Sequence, residues 1–241
     1  MKILAVIPTY NERENVGVIA PALLALPLDI SILFIDDNSP DGTADRVREI
    51  ASDYEPGKVD VMVRVDRPRG LGNAYKDGFE EAITRDVDAI LQMDADGQHP
   101  IEAVSRMAEM MQERELGLVI ASRYVAGGGT GEWGAARKLI SSFAGFAARR
   151  MLNLPYQDLT GGFKLWRRDA LASIQPGKLS SKGYVFQIEA TLRATRRGVK
   201  GAECPFVFGL RERGDSKMSR EIAIEAAKRM ITWAVKPETI G

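Results

Sequence analysis

Met93-Asp94-Ala95-Asp96-Gly97-Gln98-His99-Pro100 follows directly on the apolar run Ala89-Ile90-Leu91-Gln92-Met93, so a short buried strand ends in two carboxylates one residue apart. Side chains at i and i+2 of an extended chain share a face. Asp94 and Asp96 therefore converge where the strand stops, and Gln98 adds a third oxygen on the same alternation. Hard oxygen donors of this kind suit Mg2+ or Mn2+. In an α/β protein the crevice outside the carboxyl ends of parallel strands is the usual ligand site, and a divalent ion placed there handles phosphate esters. Taken alone, Asp-x-Asp also arises by chance in solvated loops, and the rest of the chain decides between the two readings.

On either side of this strand, apolar runs alternate with amphipathic segments, the pattern of a parallel sheet covered on both faces. Strands are predicted over 3–7, 30–35, 59–65 and 118–122. A helix near 13–25 puts Val16, Ile19, Ala20, Leu23 and Leu24 on one side, and the turn 38–43 leads to another that carries Val47, Ile50, Ala51 and Tyr54. Gly70-Leu71-Gly72 opens a helix through Ile83, and His99-Pro100 starts one with Ile101, Val104, Met107 and Met111 inward. The expected order of the first half is β-α-β-α-β-α-β-α-β. The second half is less regular. It has a glycine-rich loop at 127–131, a basic amphipathic helix near 136–152, a helix near 184–196, a strand-like run over 202–208 and a terminal helix over 219–235. In the helix near 136–152, Leu139, Phe143, Phe146 and Met151 are expected to make apolar contacts, with Arg137, Lys138, Arg149 and Arg150 near its ends; packing on its own core and lying on a membrane surface both fit.

The 241 residues suffice for one large domain, and no repeat or linker divides them. Lys plus Arg number 33 and Asp plus Glu number 33, which argues against a nucleic-acid partner. One cysteine, Cys204, permits no internal disulfide, and one histidine, His99, leaves too few ligands for a usual zinc site and no conventional Ser-His-Asp triad unless His99 serves in it. Met1 to Pro8 reads as a buried strand, not a cleavable signal, and no stretch reaches the roughly 18 apolar residues that span a bilayer. A soluble or peripheral protein of a reducing compartment is expected.

Three polar sets follow three predicted strands: Pro8-Thr9-Tyr10-Asn11-Glu12, Asp36-Asp37 and the Asp94 loop. Together they crowd one sheet edge. Tyr10 can lie against a base, and Glu12 or Asp37 can accept hydrogen bonds from a base or ribose. Singly, Tyr10 also reads as a half-buried aromatic, Glu12 as a first-turn residue favoured by the helix dipole, and Asp36 or Asp37 as a turn former.

Pro8 to Asn15, Asp36 to Thr43, Gly70 to Tyr75 and Asp94-Ala95-Asp96, continued by Ser122-Arg123-Tyr124, Arg137 to Ser141, Thr160 to Phe163, Gly183 to Glu189 and Arg211 to Lys217, resemble the dolichyl-phosphate (polyprenyl-phosphate) mannose synthase group of inverting GT-A glycosyltransferases in family 2. The resemblance covers nearly the whole chain. It implies an α/β GT-A fold, a Rossmann-like nucleotide-diphospho-sugar transferase with a mostly parallel central sheet flanked by helices. It implies one catalytic domain over 1–241, with a nucleotide-sugar half to about 122, an acceptor half over about 123–218 and a C-terminal helix over 219–241.

By the same resemblance, Pro8, Tyr10, Glu12 and Asp37 hold the nucleoside of GDP-mannose, Ala95 belongs to the same donor site, and Asp94, Asp96 and Gln98 hold Mg2+ or Mn2+ on its diphosphate. Arg211 and Lys217 close over those phosphates from a loop rich in Gly and charge, which also reads as a solvated turn. Arg123, Arg137 and Ser141 take the phosphate of a polyprenyl lipid. Asp94, Asp96, Arg123 and Arg137 are the expected catalytic set. His99 is expected to shape the Asp94 loop and not to abstract a proton. Relatives of this group often carry membrane-spanning hairpins after the catalytic domain, whereas this chain runs to Gly241 without one. The expectation is a peripheral enzyme at the cytoplasmic membrane face, with an additional membrane-anchoring protein as partner. A UDP-sugar donor, glucosyl for example, uses the same constellation. A receiver-like phosphate sensor also puts acids at strand ends, but receivers are about half this length and carry the acidic pair after the first strand.

Overall fold

A computed structural model describes residues 1–131, 145–181, 183, 185–209, 220–236 and 240, with 220–227 described in backbone only. The first half runs β1 (Lys2–Thr9), α1 (Arg13–Leu24), β2 (Asp29–Asp36), α2 (Thr43–Ala51), β3 (Val59–Val63), α3 (Leu71–Ala82), β4 (Ala89–Gln92), α4 (Ala103–Glu113) and β5 (Leu118–Ser122). After it come a helix α5 over 145–152, β6 (Lys164–Arg167), α6 (Arg168–Ser173), a 3-10 turn (Pro176–Lys178), α7 (Val185–Arg196), β7 (Gly201–Pro205) and α8 (Arg220–Val235).

Seven strands form one sheet in the order β3-β2-β1-β4-β6-β5-β7. All neighbours are parallel except β6, which runs antiparallel to both β4 and β5. Strand order reverses direction beside β1, with β2 and β3 on one side and β4 on the other, and a crevice opens at such a switch point beyond the strand ends.

The alternation of β1 feeds two cores. Ile3, Ala5 and Ile7 join Phe34, Leu91 and Val119 under α1, α2 and α4, whereas Leu4 and Val6 join Leu33, Ile35, Ile90 and Ile120 under α3 and α7. Both faces are thus covered, which is why the parallel strands read as continuous apolar runs. Close approach of α3 depends on Gly78: a Cβ there would meet Val6 Cγ1 at 2.6 Å and Ile35 Cγ1 at 2.8 Å.

Some differences from the sequence reading lie at the edges of elements. The helix expected from His99-Pro100 begins at Ala103, because 100–102 form a turn in which the carbonyls of Pro100 and Ile101 accept the amides of Ala103 and Val104 at 3.0 Å each. The run over 202–208 is a strand only to Pro205, continued by a single bridge between Gly129 and Val207. β6 and α6 were not anticipated. On α5, where apolar contacts were expected of Phe146 and Met151, these side chains are 56% and 43% exposed, while Ala148 and Leu152, four apart, are buried. Leu139 and Phe143 lie outside the described residues. Among the described residues no helix is long and apolar enough to cross a membrane.

Candidate active site at the strand ends

Beyond Thr9, the chain turns into α1 through Asn11, which takes a left-handed conformation (φ 58°). The amides of Asn11, Glu12 and Arg13 donate to Ser39 Oγ (3.0 Å), Thr43 Oγ1 (3.0 Å) and Asp41 (3.2 Å), so the turn after β2 satisfies the exposed donors at the start of α1. Asp36 organises that turn. It accepts Thr9 Oγ1 at 3.0 Å, Ser39 N–H at 2.8 Å and Ser39 Oγ–H at 2.6 Å. Of the acidic pair, then, Asp36 is the turn former and Asp37 the residue that faces the crevice. Asp37 is itself held, by Arg64 on one oxygen and by the Gly70 amide at 2.8 Å on the other. Arg64 is buried and reaches on to Asp77 at 2.6 Å and to the Pro68 carbonyl at 3.0 Å, which ties β3 to the loop before α3.

These elements bound a cavity of about 450 Å³. Pro8, Tyr10, Glu12, Asp37, Asp94, Ala95 and Asp96, all singled out from the sequence, line it. Arg69, Leu71 and Gly183 line it as well and were not assigned a role beforehand. Arg69 sits in the loop between β3 and α3, away from the strand's end, and carries no periodic signal.

The Asp94 loop is fixed from three sides. Its backbone N–H donates to His99 Nδ1 at 3.3 Å, the Tyr75 hydroxyl donates to Asp94 Oδ1 at 2.7 Å, and the Gln98 amide donates to Asp96 Oδ1 at 3.1 Å. His99 stacks on Phe163 at 4.7 Å and meets Phe206 and Phe208 edge-on. Burial pushes its pKa below the usual histidine value, although Asp94 and Asp96 pull it upward. A neutral imidazole that accepts at Nδ1 carries its proton on Nε2, and it works here as a prop for Asp94. The Tyr75 phenol is raised well above its ordinary value, first by burial and then by the Asp94 carboxylate, so it stays a donor. Gly162 leaves room for that carboxylate, since a Cβ there would fall 2.9 Å from Asp94 Oδ2.

The donor set fits a hard divalent cation. Among the described residues no three His, Cys, Asp or Glu side chains gather into a metal cage. Two carboxylates at one cavity are the usual protein share where substrate phosphates supply other ligands, and Gln98, expected as a third donor, touches Asp96 through its backbone amide and is not among the residues that line the cavity.

Past β5, Arg123 closes a fork on Asp158, with Nε at 2.7 Å from one oxygen and Nη2 at 2.7 Å from the other. Asp158 also accepts the amides of Arg123 and Gly161 at 3.1 Å each. Burial would lower the Arg123 pKa, but the Asp158 carboxylate outweighs it and holds the guanidinium charged. Arg137, Ser141, Arg211 and Lys217 lie outside the described residues.

Behind the site, Lys164 of β6 is fully buried and donates to the Gln187 carbonyl at 3.0 Å, to Gln187 Oε1 at 3.3 Å and to Thr191 Oγ1 at 2.9 Å. Gln92, two residues before Asp94, joins the network through Gln187 and accepts from Trp166 Nε1 at 3.0 Å. Burial brings the Lys164 pKa down from 10.5 to about 7, against the upward pull of Asp158 and Asp94. Between those values the unfolded chain binds more protons than the folded one. Stability therefore rises with pH across the window, and the full penalty of the buried charge remains below it. In urea unfolding, the wild type is expected to gain about 2–3 kcal/mol over Lys164→Met between about pH 7.5 and 9.5. Parallel curves for the two proteins would refute this.

The glycosyl transferase family 2 model matches residues 4–175. The chain belongs to glycosyl transferase family 2. It is 38% identical over 233 residues to a polyprenol monophosphomannose synthase of Mycolicibacterium smegmatis, covering 97% of this chain and 87% of that one. It is 39% identical over 235 residues to an undecaprenyl-phosphate mannosyltransferase of Micrococcus luteus, covering 98% and 95%. Among solved structures, a mannosyl-3-phosphoglycerate synthase from Rubrobacter xylanophilus superposes with a TM-score of 0.70 at 20% identity, covering 99% of this chain and 75% of that one. A glucosyl-3-phosphoglycerate synthase from Mycobacterium tuberculosis, in complex with Mn2+, UDP and product, gives 0.65 at 18% identity, covering 97% and 78%. These likenesses show a GT-A fold, and family membership makes this chain a glycosyltransferase; the receiver-like alternative falls away.

Proposed function

We propose that this family 2 glycosyltransferase moves mannose from GDP-mannose to a polyprenyl phosphate with inversion at the anomeric carbon. One observation carries the proposal: the ring and carboxylate of Tyr10 and Asp37 share a single cavity with Asp94 and Asp96. Near-full-length identity to two lipid-phosphate mannosyl enzymes supports the acceptor.

A phosphate monoester has a second pKa near ~6, so the acceptor arrives ionised and needs no general base. A buried, neutral His99 whose Nδ1 already serves the Asp94 amide agrees with that requirement. In the reaction an acceptor phosphate oxygen forms the new bond to C1 as the bond from C1 to the GDP oxygen breaks, and the α-linked sugar becomes β-linked. Asp94, Asp96 and Gln98 would hold Mg2+ or Mn2+, which when bound offsets the charge on the departing diphosphate. Arg123, kept charged and oriented by Asp158, faces the acceptor phosphate with Arg137 and Ser141, a task for which a guanidinium fork is better suited than an ammonium. Arg211 and Lys217 complete the diphosphate site in this scheme. The exposed Phe146 and Met151 beside Arg149 and Arg150 on α5 suit an anionic lipid surface, which supports a peripheral enzyme at the cytoplasmic membrane face.

Radiolabelled sugar transfer to a short polyprenyl phosphate tests this, with GDP-mannose and UDP-glucose in parallel, Mg2+ or Mn2+ present, and then EDTA. Metal-dependent β-linked lipid product from GDP-mannose is expected. Product from UDP-glucose alone would move the donor assignment, and retained configuration would overturn the single displacement.

A further inference from the structure

The mechanism above gives no role to the positive charge at the cavity. Among the described residues that line it, Arg69 is the only cation. Its guanidinium carbon stands 4.8 Å from the centre of the Tyr10 ring, and Nη1 donates to the Tyr10 hydroxyl at 3.0 Å. The backbone presenting this exposed side chain is anchored. The Gly70 amide donates to Asp37 at 2.8 Å, the buried Arg64 donates to the Pro68 carbonyl at 3.0 Å, and Asn73 Nδ2 donates to the carbonyls of Pro68 and Arg69 at 3.2 and 3.3 Å. Arg69 is thus a side chain with free reach on a fixed stem, placed at the Tyr10 and Asp37 end of the cavity.

We infer that Arg69 reads the nucleobase of the donor and selects a 6-oxopurine. The inference rests on the nucleotide-sugar reading and adds the residue that sets base specificity. Both Asp37 oxygens already act as acceptors, toward Arg64 and the Gly70 amide, so this carboxylate suits an N–H edge, and a guanidinium can only donate, so it demands acceptors. Guanine meets both requirements from adjacent edges. N1–H and the N2 amino group face the carboxylate, while O6 and N7 fit the guanidinium fork. Adenine puts an amino group where Arg69 needs an acceptor and has no N–H at N1. Uracil offers N3–H beside O4 but nothing in the place of N7, so it satisfies one arm of the fork. A base that stacks on Tyr10 takes the ring face over which Arg69 lies, and the guanidinium exchanges one bond to the tyrosine hydroxyl for two to the base. A diphosphate-binding role would draw Arg69 toward Asp94 and Asp96 and would give no preference among bases.

Calorimetric titration of GDP, UDP and ADP into the full chain with Mn2+ decides the matter, for the wild type, Arg69→Ala and Arg69→Lys, with thermal melting as a fold control. A bidentate arginine–guanine pair carries about 5- to 150-fold in affinity, so Arg69→Ala is expected to weaken GDP by about tenfold or more and ADP by less than about twofold. Arg69→Lys, a donor without a fork, falls between. Equal losses for all three nucleotides, or none for GDP, would overturn the inference alone. A wild type that binds no nucleoside diphosphate would overturn the donor reading and this inference with it.

Discussion

Asp96→Ala is expected to lose transfer activity by about a thousandfold or more while keeping its fold. Asp96 stands half-buried at the cavity, where it accepts the Gln98 amide at 3.1 Å. The neighbouring backbone is held independently, by His99 on the Asp94 amide and Tyr75 on the Asp94 carboxylate. Removing Asp96 therefore halves the carboxylate charge offered to a divalent ion without dismantling the loop. Loss of such charge stabilisation is worth several kcal/mol of barrier, and about 1.4 kcal/mol is tenfold in rate. The measurement is turnover against Mn2+ concentration, with a circular-dichroism melt of the same preparation. Near-normal turnover at saturating Mn2+ would end the metal role of Asp96. Asp94→Ala supplies a contrast, because it also leaves the buried Tyr75 hydroxyl without its acceptor at 2.7 Å. That variant should lose about 1–3 kcal/mol of stability in addition to activity.

The division between what was legible in the sequence and what was not follows sequence distance. β1, β2 and β4 read as apolar runs ending in polar residues, because a strand buried on both faces and stopped at a switch point leaves that pattern. Tyr10, Glu12, Asp37, Asp94 and Asp96 each sit within a few residues of such an end, and the structure gathers them at one cavity. What could not be read is pairing across the chain. Asp36 and Asp37 are equivalent as neighbours, and only Arg64, 27 residues on, and Gly70, 33 residues on, separate their roles. The partner of Arg123 lies 35 residues away in a loop. β6 escaped for a different reason. Lys164-Leu165-Trp166-Arg167 is four residues long and charged at both ends, and it is a central strand only because β4, β5 and α7 bury Lys164 and give it hydrogen-bonding partners. Tertiary context there overrides a local pattern that resembles a surface turn.

The largest stability effect should come from Asp158. Its side chain is fully buried, and its two oxygens take both arms of the Arg123 fork together with the amides of Arg123 and Gly161. Asp158→Asn keeps the shape but turns one acceptor into a donor facing the guanidinium of Arg123, whose side chain is only 8% exposed. The buried positive charge is left uncompensated, which typically costs about 3–5 kcal/mol. Arg123→Met alone strands the carboxylate and is expected to cost a similar amount. The double variant Arg123→Met with Asp158→Leu removes both charges together, so its loss should be far smaller than the two single losses combined. Urea unfolding of the four proteins reads the coupling directly. Additive losses would mean that the two groups act independently despite 2.7 Å contacts. The same cycle separates fold from function. If Arg123 meets the acceptor phosphate, the double variant regains stability but not transfer to the lipid, and its GDP affinity stays near that of the wild type. Recovery of transfer along with stability would reduce Arg123 to a brace between β5 and the 158–163 loop.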